Sequence, residues 1–255
     1  MLTGILLLAI MVFIAVISYR RPRLEQRVFK NIPLIDWINI LIVPTFMYFG
    51  LVLIVRSILF RPKVAILDFD ESSLLAVGLL LLIYDFVGNS IHFVAKVLSR
   101  YIPDDRHTII YQVNEIFHGK LSHYLVFVCT FLVIFVTALL EINYPSSVKL
   151  HKSILWLLLI AGSISGVSSA KGIFYTSEWF GGYKKPLIIL SGLLLSVLLT
   201  LFWINNLNFS YYPIGLFIVF FFASFIVTFI FRQFLIFSRL GRKRRLRFLA
   251  KLLSI

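Results

Sequence analysis

Apolar runs long enough to cross a lipid bilayer dominate this chain and decide what it can fold into. A transmembrane helix needs about 20 mostly apolar residues, because the hydrocarbon core of a bilayer is about 30 Å thick. The 255 residues are 60% hydrophobic and 14% charged. The sequence predicts seven transmembrane helices, at about residues 2–19, 35–60, 73–97, 124–142, 154–173, 186–204 and 211–237. We therefore expect an all-α, polytopic integral membrane helix bundle over residues 1–237.

Positively charged residues alternate between the loops that join these runs. The segments 20–34, 96–123, 171–185 and 232–255 hold 20 of the 25 Lys and Arg residues. The other loops hold four, and Arg56 lies within the second span. Because loops rich in Lys and Arg stay in the cytoplasm, the pattern predicts an N-terminus outside and a C-terminus inside. A cytoplasmic-type membrane, such as the plasma membrane, is the expected location.

The net charge of +14 comes from these loops and from a basic C-terminal segment. Residues 238–255 combine Arg and Lys with spaced leucines, which predicts an amphipathic cytoplasmic tail that binds anionic lipid headgroups. Because the charges flank membrane spans, we expect membrane lipids as partners and no nucleic acid. The single cysteine, Cys129, excludes an internal disulfide.

Polar residues interrupt the third predicted span. Asp85, Asn89 and His92 are spaced by four and three residues, which places them on one face of a helix. An ionisable residue inside a span is costly, so it normally faces the bundle and marks a functional site. We interpret Asp85 as a proton-handling group and the candidate catalytic residue, with Asn89 as a binding residue. The alternative is that Asp85 only joins neighbouring spans by hydrogen bonds.

The stretch "YQVNEIFHGKLSHY", residues 111–124, is rich in groups that bind metals. Its apolar spacing predicts a short interfacial amphipathic helix between spans three and four. Glu115 and His118 are three residues apart, the spacing that carboxylate-bridged helix bundles use for metal ligands. His123 lies five residues after His118, so a bend at Gly119 would be needed to bring the two rings together. The alternative is an ordinary water-exposed helix end.

Spans three and four are consecutive, and consecutive helices usually pack side by side. Their cytoplasmic ends would then form one pocket. Imidazoles with a carboxylate suit zinc or iron better than magnesium. The predicted metal ligands are His92, Glu115, His118 and His123, and the further predicted binding residues are Ser122 and Lys171.

These features leave three classes of function open, and no sequence motif assigns the chain to a family. The first class is a transport-like membrane protein with a polar site in the cytoplasmic half of the bundle. The second is a metal-dependent intramembrane enzyme that acts on a lipid or another membrane-embedded substrate. The third is a non-catalytic scaffold or partner subunit. Gly162 and Gly166, four residues apart in the fifth span, predict a close helix contact.

Overall fold

The structure, a computed structural model, describes residues 1–18, 22–30, 32–103, 105–180 and 184–241. Its helices are α1 (Leu2–Ser18), α2 (Pro22–Gln26), α3 (Leu34–Trp37), α4 (Val43–Leu59), α5 (Glu71–Leu98), α6 (Ile109–Glu115), α7 (Ser122–Ile142), α8 (Lys152–Phe180), α9 (Lys184–Ile204) and α10 (Pro213–Arg239). The π-helical turns are π1 (Ile38–Ile42) and π2 (Ile116–Leu121), and Phe209–Tyr211 is a 3-10 turn. β1 (Val28–Phe29) and β2 (Ile32–Pro33) form a short antiparallel pair. The all-α prediction is confirmed.

Six helical stretches of the described chain are long and apolar enough to cross a membrane: Leu34–Leu59, Glu71–Leu98, Ile109–Ile142, Lys152–Phe174, Pro186–Ile204 and Pro213–Arg239. The chain is thus a multi-pass integral membrane protein. The predicted first span is apolar but has 17 residues in α1. At 1.5 Å per residue it extends about 26 Å, slightly less than the hydrocarbon thickness. The seventh span and the sidedness of the two termini therefore stay predictions, and residues 242–255 of the predicted tail lie outside the described residues.

The N-terminus of α5 has a side-chain cap. The Asp70 carboxylate accepts hydrogen bonds from the backbone N–H groups of Ser72 and Ser73 at 3.2 and 2.9 Å. These donors have no partner within the helix, so an acceptor just before the first turn stabilises the helix start. The sequence "LDFDESS" therefore ends the loop and begins α5 at Glu71.

The short interfacial amphipathic helix expected between spans three and four stays a prediction, and the structure joins α6 directly to the helix that follows it. Residues Ile109–Ile142 form one helical stretch of 34 residues that passes through α6, π2 and α7. In π2 the Ser122 N–H donates to the Phe117 carbonyl, five residues earlier, so the helical hydrogen bonding continues past Gly119. At about 51 Å this stretch exceeds the hydrocarbon thickness, and part of it must extend beyond the bilayer core.

Buried charges join the helices at both ends of the bundle. Arg61 pairs with Glu141 at 3.1 Å, and Glu141 accepts hydrogen bonds from the first backbone N–H groups of α10 at 2.8 and 2.9 Å. We call this the Arg61 end. At the opposite end, the buried Asp36 of α3 forms ion pairs with Lys96 and Arg100 near the end of α5. The second end, which also holds His92, is called the histidine end.

Candidate functional site

Three imidazoles meet at the histidine end. His92 lies on α5, His118 on π2 and His123 on α7. The ring centres of His92 are 4.7 Å from those of both His118 and His123, and the last two are 5.9 Å apart. His123 is buried, and the other two side chains are half-buried. These three residues form what we call the three-histidine cluster.

The π-helical turn explains why His118 and His123 share a side of the helix. Five α-helical residues turn the chain by about 500°, which would point the two side chains in divergent directions. A π turn closes its hydrogen bonds over five residues instead, so residues five apart lie one above the other. Single π turns inside α-helices are rare and are frequent at functional sites. The expected convergence thus comes from π2, and the predicted bend at Gly119 is not needed.

Backbone carbonyls of π2 orient the site. The His123 Nδ1 lies 3.0 Å from the Gly119 carbonyl oxygen. Because a carbonyl only accepts, Nδ1 carries the proton and Nε2 keeps a lone pair. Ser122 Oγ donates to the His118 carbonyl and lies 3.5 Å from His92 Nδ1. Metal-binding histidines commonly donate their second ring N–H to a backbone carbonyl in this way.

Gly88 allows α5 to approach α7 beside the cluster. A Cβ atom at this position would lie 2.8 Å from the Cβ of Leu125 and 3.1 Å from the Ser122 carbonyl oxygen. The first separation is shorter than side chains tolerate, so any larger residue would push the helices apart. The absence of a side chain at Gly88 therefore sets how closely His92 approaches the rings on π2 and α7.

Asp85 is buried against two neighbouring helices, with 5% of its surface exposed. Tyr48 Oη of α4 donates to its Oδ2 at 2.6 Å, and Thr130 Oγ1 of α7 donates to its Oδ1 at 2.9 Å. Asn89 Nδ2 also donates to Oδ2, at 3.2 Å. Asp85 follows Glu71 by 14 positions, which places it about 21 Å along α5 and inside the hydrocarbon region. Its carboxyl group therefore faces protein and not lipid.

Asn89 lies between Asp85 and the three-histidine cluster. Along α5 it is about 6 Å from Asp85 and about 4.5 Å from His92. Besides its bond to the carboxylate, its amide donates to Tyr48 Oη at 3.2 Å. Asp85, Asn89 and His92, together called the polar stripe of α5, thus extend from the histidine end into the membrane.

The remaining predicted site residues differ in their placement. Ser122 is fully buried and lies within the cluster. Glu115 is half-buried at the end of α6, three residues before His118, and its part in a metal site stays a prediction. Lys171 is exposed on α8, a helix that also contacts π2, and its part in binding stays a prediction as well.

The cluster has the size of a three-imidazole metal site. With Zn–N bonds of about 2.0–2.1 Å, ring centres lie roughly 3 Å from the metal and about 5 Å from one another. In the conformation observed, however, no group of three or more His, Cys, Asp or Glu side chains among the described residues is arranged to hold a metal ion. The rings stand at suitable separations, so rotation about side-chain torsions would have to redirect their nitrogens.

Sequence reasoning missed three contributors: Tyr48, Thr130 and Gly88. Tyr48 and Thr130 sit inside long apolar runs and appear in the sequence as ordinary span residues. Their polar side chains within apolar spans could have identified them, since a polar atom at membrane depth needs a hydrogen-bond partner. Gly88 lies three residues after Asp85, where a small residue between polar ones indicates a close helix contact.

The site therefore consists of a buried carboxylate network inside the membrane and three adjacent imidazoles about 10 Å away along α5. Both parts join α5 to the stretch formed by π2 and α7. No family model, curated protein or solved structure matches the chain.

Proposed function

We propose that this protein is a transport-like integral membrane protein whose three-histidine cluster binds a transition-metal cation of the zinc or iron class. The observation that carries the proposal is the mutual contact of three imidazoles, with ring centres 4.7, 4.7 and 5.9 Å apart. Neutral imidazole nitrogens are preferred ligands of zinc and iron. The proton that the Gly119 carbonyl holds on His123 Nδ1 leaves Nε2 as the ligand atom.

The polar stripe favours transport over a purely structural role. Polar side chains inside a span are expensive and normally line a pathway or a bundle interior. Here they continue from the cluster to Asp85, with Tyr48 and Thr130 supplying further polar atoms from neighbouring helices. A cation bound at the cluster would therefore meet oxygen and nitrogen ligands deeper in the bundle.

The charge pattern supports a cytoplasmic position for the histidine end. The loop that joins α5 to α6 and the basic tail both belong to the segments rich in Lys and Arg, which stay inside under the positive-inside rule. Compartment-specific reporters fused at residues 1 and 255 test this arrangement. Seven spans place the two reporters on opposite sides, whereas six spans place them on the same side.

Zinc affinity of the purified full-length protein tests the metal site directly. We expect zinc to bind in competition with a chromophoric chelator. His92→Ala, His118→Ala or His123→Ala should each weaken binding by more than about a hundredfold, since each removes a ligand.

His107→Ala and His151→Ala are the matched controls, because both residues are exposed and lie outside the cluster. Neither control should change the zinc affinity. Equal binding by the wild type and the triple cluster variant would refute the metal site. Zinc entry into proteoliposomes that contain a zinc-sensitive dye then separates transport from static binding.

A second candidate function is a metal-dependent intramembrane enzyme. The observation that favours it is the Ser122 hydroxyl, which lies 3.5 Å from His92 Nδ1 and is fully buried beside the cluster. Zinc binding without zinc flux, combined with hydrolysis of a membrane-embedded substrate that Ser122→Ala abolishes, would support this function. A protein that binds no metal would instead fit the scaffold or partner-subunit class.

A further inference from the structure

The hydroxyl partners of Asp85 can form hydrogen bonds with its carboxyl group both when it is ionised and when it is protonated. Both of its oxygens accept hydrogen bonds, from Tyr48 Oη at 2.6 Å and from Thr130 Oγ1 at 2.9 Å. A hydroxyl can donate or accept, and it changes between the two by rotating about its C–O bond. A protonated Asp85 could therefore donate to either hydroxyl without any movement of the helices.

Within the part of the chain that the structure describes, this carboxyl group has no counter-ion. No salt bridge of the described residues includes Asp85. The titratable groups that face it are the Tyr48 hydroxyl of α4 and the Cys129 thiol of α7, and the three imidazoles follow farther along the axis. A charge without a counter-ion is costly at this depth, and a carboxyl group removes its charge by binding a proton.

From these contacts we infer that Asp85 is a proton-exchange site inside the membrane, and that it releases its proton when the three-histidine cluster takes up a cation. The O–H bond of the carboxylic acid breaks, the proton passes to water, and the electron pair stays on the carboxylate. One proton leaves as one divalent cation enters, so the change in charge within the bundle is halved. The coupling rests on the proposed function, whereas the proton site itself does not.

Coulomb's law gives the size of the coupling. Asp85 and His92 are seven residues apart on α5, about 10 Å along the axis. At that distance and an effective dielectric constant of about 20, a divalent cation weakens proton binding to a carboxylate by roughly a hundredfold. The effect requires no structural change, because it acts through the electric field of the cation.

Proton release during zinc binding tests the coupling. The full-length protein is titrated with zinc in weakly buffered detergent solution at about pH 8, where free histidine is neutral. A pH-indicator dye should report about one proton more per zinc bound by the wild type than by Asp85→Asn, because ionisation of a zinc-bound water is common to both. Asp85→Asn should still bind zinc, and the control Thr137→Val, whose hydroxyl bonds to the Val133 carbonyl within α7, should release as many protons as the wild type. Equal proton release by the wild type and Asp85→Asn would overturn the inference.

Infrared difference spectroscopy separates this inference from the metal proposal. We expect a C=O stretching band of a protonated carboxylic acid that Asp85→Asn removes and that fades as the pH of zinc-free protein is raised. If zinc does not bind, the proposed function fails, and this band alone decides whether Asp85 exchanges protons. A spectrum in which Asp85→Asn removes no carboxylic acid band at any pH would overturn the proton site.

Discussion

The helix pairs α5–α7 and α8–α10 both pack closely at glycines, but different kinds of side chain surround the two contacts. In α8 a Cβ atom at Gly162 or Gly166 would lie 2.4 or 2.1 Å from the backbone oxygen of Phe217 or Phe221. In α5 the comparable close contact is at Gly88. Both pairs bring backbones together at glycine, which is how membrane helices gain packing energy without a hydrophobic driving force between them.

What fills the space beside the glycines differs. The face of α10 toward the core buries aromatic rings, with Phe222, Phe225 and Phe229 at most 1% exposed. The corresponding face of α5 holds the polar stripe, and only 11% of the most apolar part of this helix is buried, against 44% of the same part of α10. The α8–α10 pair thus lies in the core, while α5 is less buried and carries the polar stripe.

The largest effect is expected at Gly166. Gly166→Ala places a Cβ atom 2.1 Å from a carbonyl oxygen that cannot rotate away, so α8 and α10 must separate. We expect a loss of about 3 kcal/mol in the free energy of unfolding, measured by denaturation in detergent micelles. Gly192→Ala is the matched control, because its Cβ atom would meet nothing within 4 Å. Equal stability of the two variants would show that the α8–α10 contact is not tight.

The next effect is expected at Asp85, where the two possible substitutions should differ. Asp85→Leu leaves the Tyr48 and Thr130 hydroxyls without the acceptor that both now share. We expect a loss of about 1–2 kcal/mol in the free energy of unfolding. Asp85→Asn keeps an acceptor and supplies a donor for one hydroxyl, so it should cost less than half as much. If Leu proved as stable as Asn, the hydrogen bonds in the network would contribute nothing to stability.

Gly88 connects packing to the site, and its effect on stability should be smaller. Gly88→Ala forces Leu125 and the backbone at Ser122 to shift, which moves His92 away from the other two rings. We expect about 1 kcal/mol of lost stability but at least about a tenfold loss of zinc affinity.

Gly78→Ala on the same helix is the matched control for this prediction. Its Cβ atom would meet only Val136 Cγ1, at an ordinary 3.5 Å, so neither zinc affinity nor Tm should change. Unchanged zinc affinity in the Gly88 variant would mean that the α5–α7 distance does not set the geometry of the cluster.

The smallest effect is expected at the helix cap. Hydrogen bonds from the side chain and backbone of Ser73 hold the pKa of Asp70 below its ordinary value of 3.8. Because folding lowers this pKa, the stabilisation is present above pH 3.8 and is lost as the pH falls toward the folded-state pKa. Asp70→Ala should lower Tm by no more than about 2 °C at neutral pH. The difference should disappear in acid, and a difference that persists there would contradict the charged cap.

Local features of the sequence determined most of the fold. Hydropathy placed five of the predicted spans within a few residues of the helices observed, and the fourth at its C-terminal end only, because a membrane helix satisfies its backbone hydrogen bonds within its own segment. The Asp70 cap is local as well, since it depends on residues two and three positions away. The sequence does not decide whether the first apolar segment spans the membrane, because a helix of 17 residues is at the lower limit of the length needed to cross it.

Tertiary packing decided the site. The sequence singled out Asp85, Asn89 and the histidines through the cost of polar groups in a span, but not the hydrogen bonds from Tyr48 and Thr130, which depend on how three helices are rotated against one another. Nor did it indicate the π-helical turn π2, or that α6 would continue through π2 into α7. A π turn is less stable than a regular α-helical turn, and contacts with neighbouring helices offset this loss of free energy. The spacing of apolar residues along one segment does not predict those contacts between helices.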